Sequence, residues 1–328
     1  MSAFPYTSFP FNVTAISPLF HLSPVSSSAS LGWVPSCTLP ECIPTASWST
    51  GATNSTLSFN YWGWGVELNG NVKGNMSVEL FHDGGRVMWD PSGDTLFNIR
   101  GDSAGYEQLE QRNITLRVLD ASPGSQLTVT QARVNGSTRA DYNWPADRWV
   151  VSSDDERLEY TGFAQQASEG KAQSSTTYSS SRTGDSVSMQ FNGSAFLVYG
   201  PCGPTNGLMR VTIDGIEQIV NTSRPFASND CLLFQSPGQV VHSLHQFLIE
   251  NVDGRTLSIG RLEFIRIQMY KKGGMGIVRT TVVSSTIAAI LAVFWVVIVI
   301  YLLKARRKQV SGVDGPRPNH QGFQWLHS

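Results

Sequence analysis

The sequence predicts an all-β chain of two tandem sandwich modules followed by one membrane-spanning helix. Three observations carry this reading. Short alternating segments are bounded by turn residues, their order recurs roughly 130–137 residues later, and a long run without charge lies near the carboxyl end. Composition agrees: Ser, Thr, Val and Gly abound, 15% of residues are charged, and no long run has helical periodicity. About 280 residues precede the uncharged run, enough for two domains with cores of their own.

The uncharged run is Val282 to Leu303, VVSSTIAAILAVFWVVIVIYLL. At about 1.5 Å per residue a helix of that length spans the roughly 30 Å hydrocarbon core of a bilayer. Its polar side chains are Ser284, Ser285 and Thr286 at the start and Tyr301 near the end, and Lys304, Arg306, Arg307 and Lys308 follow at once, as stop-transfer flanks do. Asn-x-Ser/Thr acceptors stand at Asn12, Asn54, Asn75, Asn113, Asn135, Asn192 and Asn221, all before the run. The four cysteines, Cys37, Cys42, Cys202 and Cys231, precede it too, an even number that suits an oxidising compartment. The tail after the run carries a net +4 and the rest −5 of the chain's −1. The expectation is a type I single-pass glycoprotein of the plasma membrane with an extracellular ectodomain, anchored in the lipid bilayer. The tail, 304–328, is expected to be cytosolic and disordered, with its cytosolic partner unassigned. The amino terminus has no basic segment and no apolar run of signal-peptide length, so a leader upstream is expected. Lys271, Lys272 and Arg279 disfavour the other route, in which the span itself directs translocation.

Residues 1–10 read as a lead-in, 11–142 as the first module, 143–147 as a linker around Asn143-Trp144-Pro145, 148–268 as the second module and 269–281 as a stalk. In the first module Ser55 to Tyr61 places Leu57 and Phe59 on one face, and Met76 to Phe81 runs into a His82-Asp83-Gly84-Gly85 turn that closes a hairpin. Leu96-Phe97, Ile114 to Leu119 and Leu127 to Val134 follow, the last two joined at Ala121-Ser122-Pro123-Gly124. The second module repeats the order with Ser186 to Phe191, Ala195 to Tyr199, Met209 to Ile213 before Asp214-Gly215, Leu233-Phe234, Phe247 to Glu250, and Leu257 to Ile267. Each module holds two cysteines, so Cys37–Cys42 and Cys202–Cys231 is the expected pairing. The second pair closes a loop of about 30 residues, a structural role with no CxxC to suggest redox work.

In this order of strands and turns the chain resembles the single-pass fungal membrane proteins whose ectodomains are tandem galactose-binding-like jelly rolls. The residues that carry the resemblance are Asp154-Asp155, Tyr160-Thr161-Gly162, Phe191-Asn192-Gly193-Ser194-Ala195, Val198-Tyr199-Gly200 and Asp214-Gly215. The first module departs from the pattern: Thr14-Ala15 stands where the acidic pair would be, and the turn is enlarged to Asn60-Tyr61-Trp62-Gly63-Trp64-Gly65. The resemblance implies a tandem jelly-roll fold more firmly than an activity.

Several groupings invite chemistry. Gly101-Asp102-Ser103-Ala104-Gly105 matches the serine-hydrolase pattern, but in a loop after a strand, without the helix that a nucleophile elbow needs. His242 and His245 lie three apart, on opposite faces of a strand with no third ligand evident, and read as solvent-edge histidines. Asp154, Asp155 and Glu156 read as a solvated turn, with a structural Ca²⁺ as the alternative. No metal and no cofactor is expected. Tyr61, Trp62 and Trp64 crowd a turn that the second module closes with Asn192-Gly193-Ser194. Their rings either pack, on the open end of the sandwich or on the neighbouring module, or stack on the apolar face of a sugar.

The function expected is non-catalytic: an ectodomain that binds or braces glycan of the cell envelope, cell-wall polysaccharide or glycoprotein glycan, with no nucleic-acid partner. The alternatives are a surface sensor or adaptor signalling through the tail, and a membrane-bound glycoside hydrolase, which needs two carboxylates facing across a cleft.

Overall fold

The computed structural model describes residues 11–37, 45–63, 65–99, 111–135, 147–166, 176–239, 243–266 and 295–304. Ala3–Tyr270 form one compact unit and hold all the described strands. The other unit, Met1–Ser2 with Lys271–Ser328, contributes the described helix, over 295–304.

That helix corrects the expected membrane span. Among the described residues no helix is long and apolar enough to cross a membrane. An uncharged run is necessary for a span but not sufficient, since a crossing needs about 20 helical residues. The described helical residues, 295–304, rise about 15 Å. The remainder of the expected span, 282–294, lies outside the described residues, as do the stalk and everything after Lys304.

The first half of the β unit opens with β1 (Phe11–Thr14), β2 (Phe20–Ser23), β3 (Val34–Ser36) and β4 (Ser47–Thr50). It continues with β5 (Thr56–Trp62), β6 (Gly65–Lys73), β7 (Met76–His82) and β8 (Gly85–Val87), and ends with β9 (Thr95–Ile99), β10 (Gln111–Ala121) and β11 (Gln126–Asn135). These strands form two sheets, β2-β5-β10-β7-β8 and β3-β4-β11-β6-β9, with β1 also paired to β11.

The second half runs through β12 (Asp147–Ser152), β13 (Glu159–Thr161), β14 (Ala164–Gln166), β15 (Thr177–Ser180), β16 (Ser186–Phe191) and β17 (Ala195–Cys202). Then come β18 (Leu208–Ile213), β19 (Ile216–Asn221), β20 (Ser228–Gln235), β21 (His245–Asn251), β22 (Leu257–Ile259) and β23 (Arg261–Arg266). Its sheets are β13-β16-β21-β18-β19 and β12-β23-β17-β20, with β14-β15-β22 beside them. The first of these repeats the order β2-β5-β10-β7-β8 strand for strand. The single strand β11, which pairs β4 with its first part and β1 with its second, corresponds to β22 and β23, separated at Gly260. Asp147, placed by sequence in the linker, opens β12 instead.

Local sequence explains the repeated geometry. Alternation buries Leu57, Phe59 and Tyr61 of β5 and Ile114, Leu116 and Val118 of β10, every second residue, toward the core. The two-residue turns Asp83-Gly84 and Asp214-Gly215 have φ of 51° and 77°, and of 49° and 85°, the left-handed pair that hairpin twist selects and that Asp-Gly accepts. At Gly70 a β-carbon would stand 2.0 Å from the Thr128 carbonyl oxygen, and at Gly200 2.2 Å from that of Ser258. A side chain at either position would force the backbone of the neighbouring strand to shift.

The strand Ala195–Cys202 departs from alternation and is buried almost throughout. A continuous apolar run marks a strand covered on both faces, and here the two covers differ. Phe196 and Val198 face the core of the second half, where Phe196 lies 5.1 Å from Phe247 and 5.6 Å from Phe264 between ring centroids. Leu197 and Tyr199, with Leu232 of β20, join the core of the first half. In return Ile16 and Ala46 pack into the core of the second. The Ser17 hydroxyl donates to the Leu232 carbonyl at 2.5 Å across this boundary. Cys202 and Cys231 form a disulfide between β17 and β20 with Cα atoms 5.9 Å apart and both residues buried. Closing a loop of 29 residues stabilises by about 3–4 kcal/mol on the chain-entropy model. Cys37 is disulfide-bonded as well, and Cys42 lies outside the described residues.

Candidate functional site

The described part of the aromatic turn, Tyr61 and Trp62, is packed on protein. Tyr61 is buried at 1% exposure, its ring 5.4 Å from that of Phe59 and its hydroxyl 3.4 Å from His82 Nε2. Burial pushes its phenol pKa well up. Alternation along β5 turns it inward, as it turns Phe191 in β16, so it is removed from the candidate ligand residues. Trp62 is half-buried against Ala195 of the second half. Its backbone N–H donates to Gln235 Oε1 at 2.9 Å, and Gln235 Nε2 donates to its carbonyl at 2.5 Å. This residue joins the two halves. Trp64 lies outside the described residues.

The histidine reading is also corrected. His245 is not a solvent-edge residue: it is 6% exposed, with Nδ1 2.5 Å from Asp214 Oδ2. His242 and the Gly101–Gly105 motif lie outside the described residues. In the acidic turn Asp155 is held by the Arg157 guanidinium, which pulls its carboxyl down to about 2, and Asp154 accepts from the Ser152 hydroxyl at 2.5 Å. Among the described residues no group of three His, Cys, Asp or Glu is placed to hold a metal.

Of the glycosylation acceptors, Asn12, Asn54, Asn75, Asn192 and Asn221 are exposed. Asn113 is half-buried, its Nδ2 donating to Ser58 Oγ at 2.7 Å and Asn60 Oδ1 at 2.6 Å while its Oδ1 accepts from Thr115. Asn135 is the last residue of β11.

The site that sequence reasoning missed is a cleft of about 480 Å³ between the halves. One wall is Phe20, His21 and Leu22 of β2 with Val25 and Trp48; the other is Pro204, Ser223, Arg224 and Pro225. The aromatic wall is fixed from behind. Phe20 stacks on Phe59 at 4.6 Å, and the Trp48 indole N–H donates to the Ala15 carbonyl at 2.8 Å. The facing loop is fixed by its backbone: Arg224 N–H donates to the Gly203 carbonyl at 3.0 Å, and Thr222 N–H to the Gly207 carbonyl at 2.9 Å, which also accepts from the Thr222 hydroxyl at 2.8 Å. Val25 is 55% exposed, so the apolar rim is open.

Arg224 is the unusual member. Its Nε is sealed from solvent without a hydrogen-bond partner. Burial alone pulls its guanidinium pKa down to about 10, with no carboxylate offsetting the loss of water. Burial, and secondarily the charge of Arg224, push the His21 imidazole down. It is therefore neutral near pH 7, able to donate from one ring nitrogen and accept at the other. No signal in the sequence could have found this group, because 20–25, Trp48 and 204–225 meet only when the halves pack.

No protein-family model matches the chain, and no curated protein matches it. Several solved structures are distantly similar. A xanthan lyase from Paenibacillus is 12% identical with a TM-score of 0.29, over 82% of this chain and 27% of the lyase. The tandem CBM22-1-CBM22-2 domain of Paenibacillus barcinonensis Xyn10C is also 12% identical, with a TM-score of 0.22 over 82% of this chain and 98% of that one. A cupin 2 conserved barrel domain protein from Leptotrichia buccalis is 11% identical with a TM-score of 0.17, over 79% and 96%. Scores this low carry no argument about function, and none of the three bears on the fungal resemblance.

Proposed function

We propose that the β unit is a non-catalytic glycan-binding protein of an oxidising, extracellular or lumenal compartment, with the cleft between its halves as the binding site. The observation that carries this reading is the composition of the cleft. Apolar surface from Val25, Pro204 and Pro225 surrounds a few convergent polar groups, His21, Ser223 and Arg224, as in sites that take a ligand with both apolar faces and hydrogen-bonding edges. Sugar rings have that character. The described residues that line the cleft include no carboxylate. The disulfide between Cys202 and Cys231 supports the compartment.

A glycan array probed with the purified chain tests the reading. Binding is expected to at least one glycan class, and Val25→Trp, which fills the cleft from an exposed position, is expected to abolish it while the melting temperature stays within a degree or two. Binding that survives Val25→Trp moves the site elsewhere; an array without a hit removes the glycan reading.

A further inference from the structure

We propose that the cleft selects acidic sugars, with Arg224 clamping the carboxylate of a uronic acid residue while the ring lies between the Val25 rim and the Pro204–Pro225 wall. The inference rests on the glycan reading above and adds to it the charge of the ligand.

Three observations combine. Arg224 projects into the cleft from a loop held on both sides by backbone hydrogen bonds, so the guanidinium sits on a rigid base. Among the described residues no carboxylate pairs with it, and its Nε has no acceptor. Four other arginines of the second half are paired with carboxylates. Arg148 pairs with Glu263, Arg157 with Asp155, Arg210 with Glu217 and Glu250, and Arg261 with Asp230 and Glu263. Arg224 is half-buried with no carboxylate partner among the described residues, so a carboxylate that enters the cleft supplies the charge partner it lacks. A guanidinium presents parallel N–H donors that match the two oxygens of a carboxylate, and such charge-assisted pairs are about twice as strong as neutral ones.

The remaining lining fits a sugar better than an acidic peptide. His21, held neutral, and the Ser223 hydroxyl each donate and accept, which suits the hydroxyls of a ring and gives no extra charge for a second carboxylate.

The probes are short oligouronides of the galacto, gluco and manno series, each as the free acid and as its methyl ester, titrated into the full chain at constant ionic strength. Poly-glutamate of similar length is the peptide control. At least one free acid is expected to bind tenfold or more tightly than its own ester. Arg224→Gln is expected to remove that ratio, the free acid losing tenfold or more and the ester losing less. Should Arg224→Gln fold poorly, Arg224→Lys, which keeps the charge and loses the paired donors, is expected to reduce the ratio several-fold. Equal binding of acid and ester overturns the inference and leaves the glycan reading in place. Binding of poly-glutamate as tight as any uronide, and dependent on Arg224, overturns it in favour of an acidic peptide. No binding of any sugar removes both readings together.

Discussion

Arg112 and His245 occupy the same position in the two halves of the unit, one at the start of β10 and one at the start of β21, and each closes on the carboxylate of an Asp-Gly turn. Arg112 Nη1 lies 2.7 Å from Asp83 Oδ2, and His245 Nδ1 lies 2.5 Å from Asp214 Oδ2. The second carboxylate oxygen accepts the next backbone N–H in both halves, Asn113 at 2.9 Å and Gln246 at 3.0 Å. One device thus pins the hairpin turn to the central strand twice, with a different partner side chain each time.

These contacts set the behaviour in acid. Desolvation pushes the Asp83 carboxyl up, but the Arg112 side chain and the Asn113 amide outweigh it and hold the group below the usual range. The Gln246 amide, against slight desolvation and with help from His245, does the same for Asp214. A carboxyl depressed in the folded state contributes stability that is present above its unfolded value of about 4 and lost as pH falls through the folded value. Asp83→Asn with Asp214→Asn keeps side chains that tolerate the left-handed turn and removes the charge. Each substitution is expected to cost of the order of 1 kcal/mol at pH 7, since both carboxylates are partly solvated. The double variant should also lose stability less steeply than the parent between pH 4 and 2. Parallel acid limbs in thermal melts of the two proteins would count against the device.

The equivalent glycines Gly70 and Gly200 make a second prediction. Each β-carbon would meet a backbone carbonyl rather than a movable side chain, so relief requires the strands to part. Gly70→Ala and Gly200→Ala are each expected to destabilise by about 1–3 kcal/mol or more, the usual range of overpacking. Gly85→Ala, whose nearest contact is 3.4 Å away, is the tolerant control. Urea denaturation with equal midpoints for all three variants would be inconsistent with the close approach.

The Trp62–Gln235 contact makes a third. Gln235→Leu leaves the Trp62 N–H and carbonyl facing apolar atoms, at about 1–3 kcal/mol for an orphaned buried group. Trp62→Ala keeps both backbone groups and removes only the ring that packs on Ala195. Gln235→Leu is expected to lower the unfolding midpoint and open the boundary between halves to limited proteolysis. Unchanged cleavage with an unchanged midpoint would show that the contact holds nothing.

Much of the fold was legible because its signals are local. The Asp-Gly pairs, the period-two alternation of β5 and β10 and the recurrence of their order depend on residues a few positions apart. The uninterrupted Ala195–Tyr199 run also announced itself as a strand, but not which surface covers its outer face, since that surface belongs to residues about 180 positions earlier. The pairing of His245 with Asp214, 31 positions apart, was hidden because it depends on β21 lying beside β18, and Arg224 was hidden because its cleft forms only when the halves pack. Tyr61 misled for a simpler reason: an aromatic group in a glycine-flanked turn reads as displayed, while the strand register decides which way it faces.

The coverage of β17 on both sides restricts how this architecture can be cut. A segment beginning near Asp147 contains a full set of strands and looks like a portable domain, yet freeing it would expose Leu197, Tyr199 and Leu232 to water as one apolar patch. Truncation at that point should yield insoluble material, and exchange of either half against an unrelated sandwich should fail for the same reason. The duplicated chain has become indivisible, so any rearrangement that moves it must move both halves as one piece.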